Sequence, residues 1–75
     1  MEMTKRVELV SPIRDVDNLS LLAKQLNGEI VGQRRFMFWR KKVEYCFQDT
    51  DDVMSFLESI KNVFGKRVRM AKKTY

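Results

Sequence analysis

Strand, helix, two strands, helix, strand: hydrophobic periodicity switches in that order along this chain, and 75 residues leave almost nothing over. Each element has one apolar face to bury. The stable solution for this order is a βαββαβ sandwich, with two helices packed on one side of a four-stranded antiparallel sheet. That layout governs where the basic and aromatic residues from Gln33 to Lys42 must lie.

The first strand covers Arg6 to Val10, with Val7 and Leu9 on one face and Arg6 and Glu8 on the other, and Pro12 ends it. Asp15 or Asp17 is placed to cap the next helix, whose Val16, Leu19, Leu22, Ala23 and Leu26 fall on one stripe. Asn27-Gly28 stops that helix, with Gly28 suited to the left-handed position after the last turn. Asp49 or Thr50 caps the second helix, and Asp51 and Asp52 set negative charge at its positive end. Val53, Phe56, Leu57, Ile60, Val63 and Phe64 form its apolar stripe, and Gly65 closes it. From Lys66 to Lys72 alternation returns, with Val68 and Met70 inward and Arg67 and Arg69 outward.

The segment Glu29 to Gln48 must hold two strands, yet it contains no Asn-Gly or Asp-Gly turn. Val43, Tyr45 and Phe47 alternate with Glu44 and Cys46, so the first three point to the core and Cys46 faces away from the helices, open to solvent or a partner. A two-residue turn at Arg40-Lys41 pairs Phe38 with Val43 and Phe36 with Tyr45, putting both phenylalanines inside and Met37 and Trp39 outside. A three-residue turn reverses every side chain across the sheet. The first register buries more aromatic surface and is the expected one. Gly32 reads as a bulge or as the start of a turn.

Seventy-five residues allow one domain, taken as 1–75, with a small core. With 44% hydrophobic and 33% charged residues the chain has the makeup of a folded domain. Fifteen Lys and Arg against ten Asp and Glu give +5 at neutral pH and a pI near 9.7, which favours anionic partners without naming one. The single Cys46 forms no internal disulfide, so an intracellular, cytoplasmic setting is expected. No apolar run approaches the roughly 18 residues that span a bilayer, and Met1 to Arg6 reads as the opening of a strand and not as a signal peptide. No membrane partner is expected.

Chemistry-bearing motifs are lacking. One Cys and no His exclude a Cys-x-x-Cys metal carrier, and Ser11, Pro12, Ile13 and Arg14 after the first strand are no glycine-rich phosphate cradle. Asp49, Asp51 and Asp52 lack the calcium-loop pattern and are explained as helix-start charges. These residues point to a non-enzyme with no metal and no cofactor. Lys42 to Met70 resembles the second half of an RNA recognition motif: a strand ending in Phe47, an acidic helix start, an apolar helix, then Gly65-Lys66-Arg67-Val68. That family stacks bases on outward aromatic rings of its sheet. Aligned on Phe47, this chain instead turns Lys42, Glu44 and Cys46 outward, with Arg6 and Glu8 on the first strand.

What remains is the basic aromatic stretch from Gln33 to Lys42, in which five of ten residues are cationic. Cations beside rings supply charge for phosphates and flat faces for bases. Outward positions on the first and last strands would add Arg6, Arg67, Arg69 and Lys73 to the same open face. The expectation is therefore an α+β, ferredoxin-like domain, with strand order four, one, three, two, that binds nucleic acid, single-stranded in preference. The expected site is Arg34, Arg35, Trp39, Arg40, Lys41, Lys42, Arg67 and Arg69. Two other readings compete. In one, Phe36 and Phe38 are core while Arg40 and Lys41 merely solvate a turn. In the other, Met37, Trp39 and Cys46 form an apolar patch for a protein partner or a homodimer, and the chain is a regulatory subunit or inhibitor.

Overall fold

The computed structural model describes residues 5–74. It turns the pattern order into β1 (Lys5–Pro12), α1 (Val16–Gln25), β2 (Glu29–Met37), β3 (Arg40–Phe47), α2 (Thr50–Val63) and β4 (Arg69–Thr74). Short 3-10 turns occupy Ile13–Asp15 and Gly65–Arg67. The expected strand opening at residues 1–4 lies outside the described residues. The four strands form one antiparallel sheet in the order β2-β3-β1-β4, the βαββαβ ferredoxin-like layout.

Alternation in the two central strands decides the core. Val7 and Leu9 of β1 pair with Tyr45 and Val43 of β3, so four apolar side chains reach the helices together, and Phe47 joins them. Val16, Leu19 and Ala23 of α1 and Val53, Phe56 and Ile60 of α2 close over them, with Phe64 and Val68 at one end. Phe56 is the hub. Its ring lies 5.1 Å from the centroids of both Tyr45 and Phe47, at 64° and 45°, the tilted geometries that aromatic quadrupoles favour. Leu22, Leu26 and Leu57 are only partly buried at the rim of this core. Val63, expected on the apolar stripe, is exposed, whereas Ile60 and Phe64 on either side of it are buried.

The helix ends refine the sequence reading. Asn27, not Gly28, holds the left-handed conformation after α1, at φ 64°. Gly28 N–H then donates to Ala23 O (2.8 Å) and Asn27 N–H to Lys24 O (3.2 Å), the paired bonds of a Schellman motif. Gly28 is needed for a different reason: a Cβ there would run into the Phe47 ring. Gly65, at φ 61°, does take the left-handed role after α2. Asp15 and Asp49 occupy the two N-cap positions, but neither carboxylate bonds a helix amide. Asp15 is instead buried and turned toward Arg67, 3.4 Å away.

Candidate nucleic-acid interface

The β2–β3 hairpin turns at Phe38-Trp39, with Met37 paired to Arg40, and not at Arg40-Lys41 in either expected register. Two-residue hairpins favour turns with a left-handed residue, and among the described residues only Asn27 and Gly65 have positive φ. The chain fits two aromatic residues into this turn by other means. The register shifts between Arg35 and Met37, leaving Phe36 as a bulge, and Ile13 N–H donates to Trp39 O (2.8 Å), tying the turn to the loop after β1. A second shift, between Ile30 and Gly32, bears out the bulge expected near Gly32, with Val31 as the extra residue.

Phe36 and Phe38 are consequently not core. Phe36, Met37, Phe38 and Trp39 are 48%, 57%, 83% and 73% exposed, in one continuous run at the tip. The rings of Phe38 and Trp39 lie 5.7 Å apart, tilted by 39°. Lys42 Nζ stands 4.8 Å from the Phe36 ring centroid, a cation–π contact at the base of the tip. Lys41 Nζ donates to Gln33 Oε1 (3.2 Å) across the hairpin. Arg35 and Arg40 flank the turn and Arg14 lies beyond it; none of the three has an ion-pair or hydrogen-bond partner among the described residues.

The open sheet face, opposite the helices, has a different character. The register sets Arg6, Glu8 and Val10 of β1 beside Cys46, Glu44 and Lys42 of β3. Arg6 pairs with Glu44 and Arg34 with Glu8, each at 3.8 Å. Such half-exposed pairs contribute only about 0–1 kcal/mol apiece, but they neutralise charge where phosphate binding would require it free. Arg69, paired with Val10, and Lys72, paired with Glu8, bring two further cations to the β4 side of this face.

Three expected contributions are corrected. Arg67 is not on the sheet: it sits in the 3-10 turn before β4, bound to Asp15 and 5.7 Å from the Phe64 ring centroid, which removes it from the basic surface. Lys73 pairs with Val7 in register and so points to the helix side. Cys46 does lie on the face away from the helices, beside Arg6 in register, yet it is only 2% exposed. The outward positions of β1 and β3 carry no aromatic ring, and the exposed rings of Phe36, Phe38 and Trp39 lie towards the hairpin tip.

Sequence reasoning missed Pro12, Ile13 and Arg14 as neighbours of Trp39. With Trp39 and Arg40 they line an open, largely apolar cleft of about 570 Å³. A second groove, of about 520 Å³, runs along Arg35, Phe36, Met37 and Phe38. The signal for the first was present in the chain as an apolar pair, Pro12-Ile13, followed by an arginine in a connecting loop, but only tertiary contact puts it next to a residue 26 positions later (39 − 13). Among the described residues no three His, Cys, Asp or Glu side chains gather as a metal site, and no helix is long and apolar enough to cross a membrane. No family model matches the chain, and no curated protein or solved structure matches it significantly.

Proposed function

We propose that this protein binds nucleic acid without catalysis, through the tip of the β2–β3 hairpin, and prefers single strands. One observation carries the reading: a run of four exposed apolar side chains, with the Phe38 and Trp39 rings tilted against each other, stands beside arginines that pair with no carboxylate among the described residues. An exposed aromatic in a turn does nothing for the core, and contiguous exposed apolar residues are uncommon on a surface with no partner. Arg14, Arg35 and Arg40 supply phosphate contacts, with Lys41, Lys42 and Arg69 extending the positive surface along the hairpin and across the sheet, while Arg34 is held back by Glu8. Trp39 and the neighbouring phenylalanines supply π-faces, which every base matches and which duplex DNA or RNA hides by stacking.

Binding of random single-stranded and duplex oligonucleotides, measured from low to physiological salt, tests this. Affinity for single strands should fall with salt at a slope of about 0.7 per phosphate contacted, with little sequence preference. No detectable complex at low salt would overturn the reading.

A protein partner is the second reading, favoured by the 83% exposure of Phe38, which sits at the outermost position of the turn. A protein docked on this apolar tip would respond weakly to salt and would survive nuclease treatment in a pull-down, whereas a nucleic-acid complex would not.

A further inference from the structure

We propose that the cleft between the hairpin turn and the loop after β1 receives one unstacked base of a single strand, with Trp39 as its stacking wall. This rests on the nucleic-acid reading above and names the place where a base would be held.

The cleft combines a broad aromatic wall, Trp39, with an apolar floor, Pro12 and Ile13, and two arginines, Arg14 and Arg40. A base buries its flat faces against apolar or aromatic surface while its phosphates stay at the rim, and arginine matches phosphate oxygens with a planar fork of donors. Neither arginine has an internal partner among the described residues, so neither must break an ion pair to bind. The two walls are joined by the Ile13 N–H to Trp39 O bond of 2.8 Å, so the cleft exists before any strand arrives and little ordering is needed on binding. The neighbouring groove along Phe36 differs: the Lys42 ammonium lies 4.8 Å from the Phe36 ring centroid. A duplex would have to unpair and unstack a base to fill the cleft, which penalises it against a single strand.

Trp39 is the only tryptophan in the chain, so its emission reports on the cleft directly. The test compares a short oligo-dT strand with an abasic strand of equal length, which keeps the phosphates and removes the bases, at fixed salt. Oligo-dT should bind about 5- to 150-fold more tightly than the abasic strand and should quench Trp39. Read by anisotropy of labelled strands, Trp39→Leu should lower that preference by at least about fivefold, more than Phe38→Leu does.

Equal binding of the two strands by the unaltered protein would overturn the base cleft and leave the phosphate-binding reading standing. Loss of the preference in Phe38→Leu but not in Trp39→Leu would also overturn it, moving the stacked base to the outer tip. No binding of either strand would sink the nucleic-acid reading and this inference with it. Trp39 emission that changes with protein concentration alone would show a second copy of the chain in the cleft, and would equally overturn the proposal.

Discussion

The open sheet face and the tip of the β2–β3 hairpin are built from the same kinds of residue and use them in opposite ways. On the sheet, Glu8 and Glu44 stand opposite each other across β1 and β3, and Arg34 and Arg6 reach over to pair with them, while Cys46 and Val10 on the same face are buried. At the tip there is no carboxylate at all between Gln33 and Lys42, and the cations stand next to rings. Charge counted along a sequence is therefore not charge available to a ligand. A roof of mutually paired side chains keeps water off a sheet and protects it from edge and face association. Arginines with no partner among the described residues, set beside exposed aromatics, do neither, and that contrast is the reason to propose an interface at the tip.

The sharpest test of the contrast is the same truncation made in two places. Phe56→Ala removes the hub of the aromatic core and should cost about 3–5 kcal/mol, a large share of a small domain's stability. Phe38→Ala, at the exposed turn, should stay within about 0.5 kcal/mol. Denaturant midpoints of the two variants measure both. A comparable loss from Phe38→Ala would mean that the tip is structural and would break the comparison.

Charge removal comes next. Replacing Arg14, Arg35 and Arg40 together by Ala should flatten the salt dependence of single-strand binding by about 2, at about 0.7 for each lost contact. Replacing Arg6 and Arg34 by Ala should flatten it by less than about 1, since both are already committed to glutamates. Equal changes from the two sets would erase the distinction between face and tip.

The burial of the open face can be probed through its thiol. Cys46 should resist a thiol reagent in the native protein and react at once in the unfolded chain. Arg6 is its direct cross-strand neighbour on β1, so Arg6→Ala should speed native labelling while costing less than about 1 kcal/mol in stability. Native labelling as fast as in the unfolded chain would show that the thiol is not buried.

The smallest effect concerns pH and guards the binding measurements. Burial raises the Tyr45 phenol above its ordinary 10.0, and Ser20 opposes the shift only in part, its hydroxyl already donating to Val16 O at 2.8 Å. The phenol oxygen has no well-aligned partner of its own. The folded state thus holds this proton more tightly than the unfolded chain does, so the stability it contributes is complete below about pH 10 and declines as pH rises beyond. Tyr45→Phe should change stability by no more than about 1 kcal/mol at neutral pH and should lessen the alkaline decline. Binding lost above pH 10 in the unaltered protein but kept in Tyr45→Phe would be a loss of fold, not of interface charge.

Sequence alone determined the layers and the core. Period-two alternation in Val7–Leu9 and Val43–Tyr45–Phe47, and three- and four-residue spacing in Val16–Leu19–Ala23 and Val53–Phe56–Ile60, are local patterns that reveal which face each element buries. Strand order followed from right-handed crossovers, and the basic character of the hairpin was legible as composition. Tertiary structure decided what no local pattern encodes. The turn fell at Phe38-Trp39 because a bulge at Phe36 and the amide of Ile13 accommodate it, and neither has a short-range signature. Arg67 lies in the turn before β4 against Asp15, and Cys46 is buried although its face was read correctly, since both depend on what the fold brings within reach. Periodicity sets the side of a residue, but pairing across strands and loops sets whether its charge or its surface is free, and at this hairpin that second decision separates the proposed site from the scaffold.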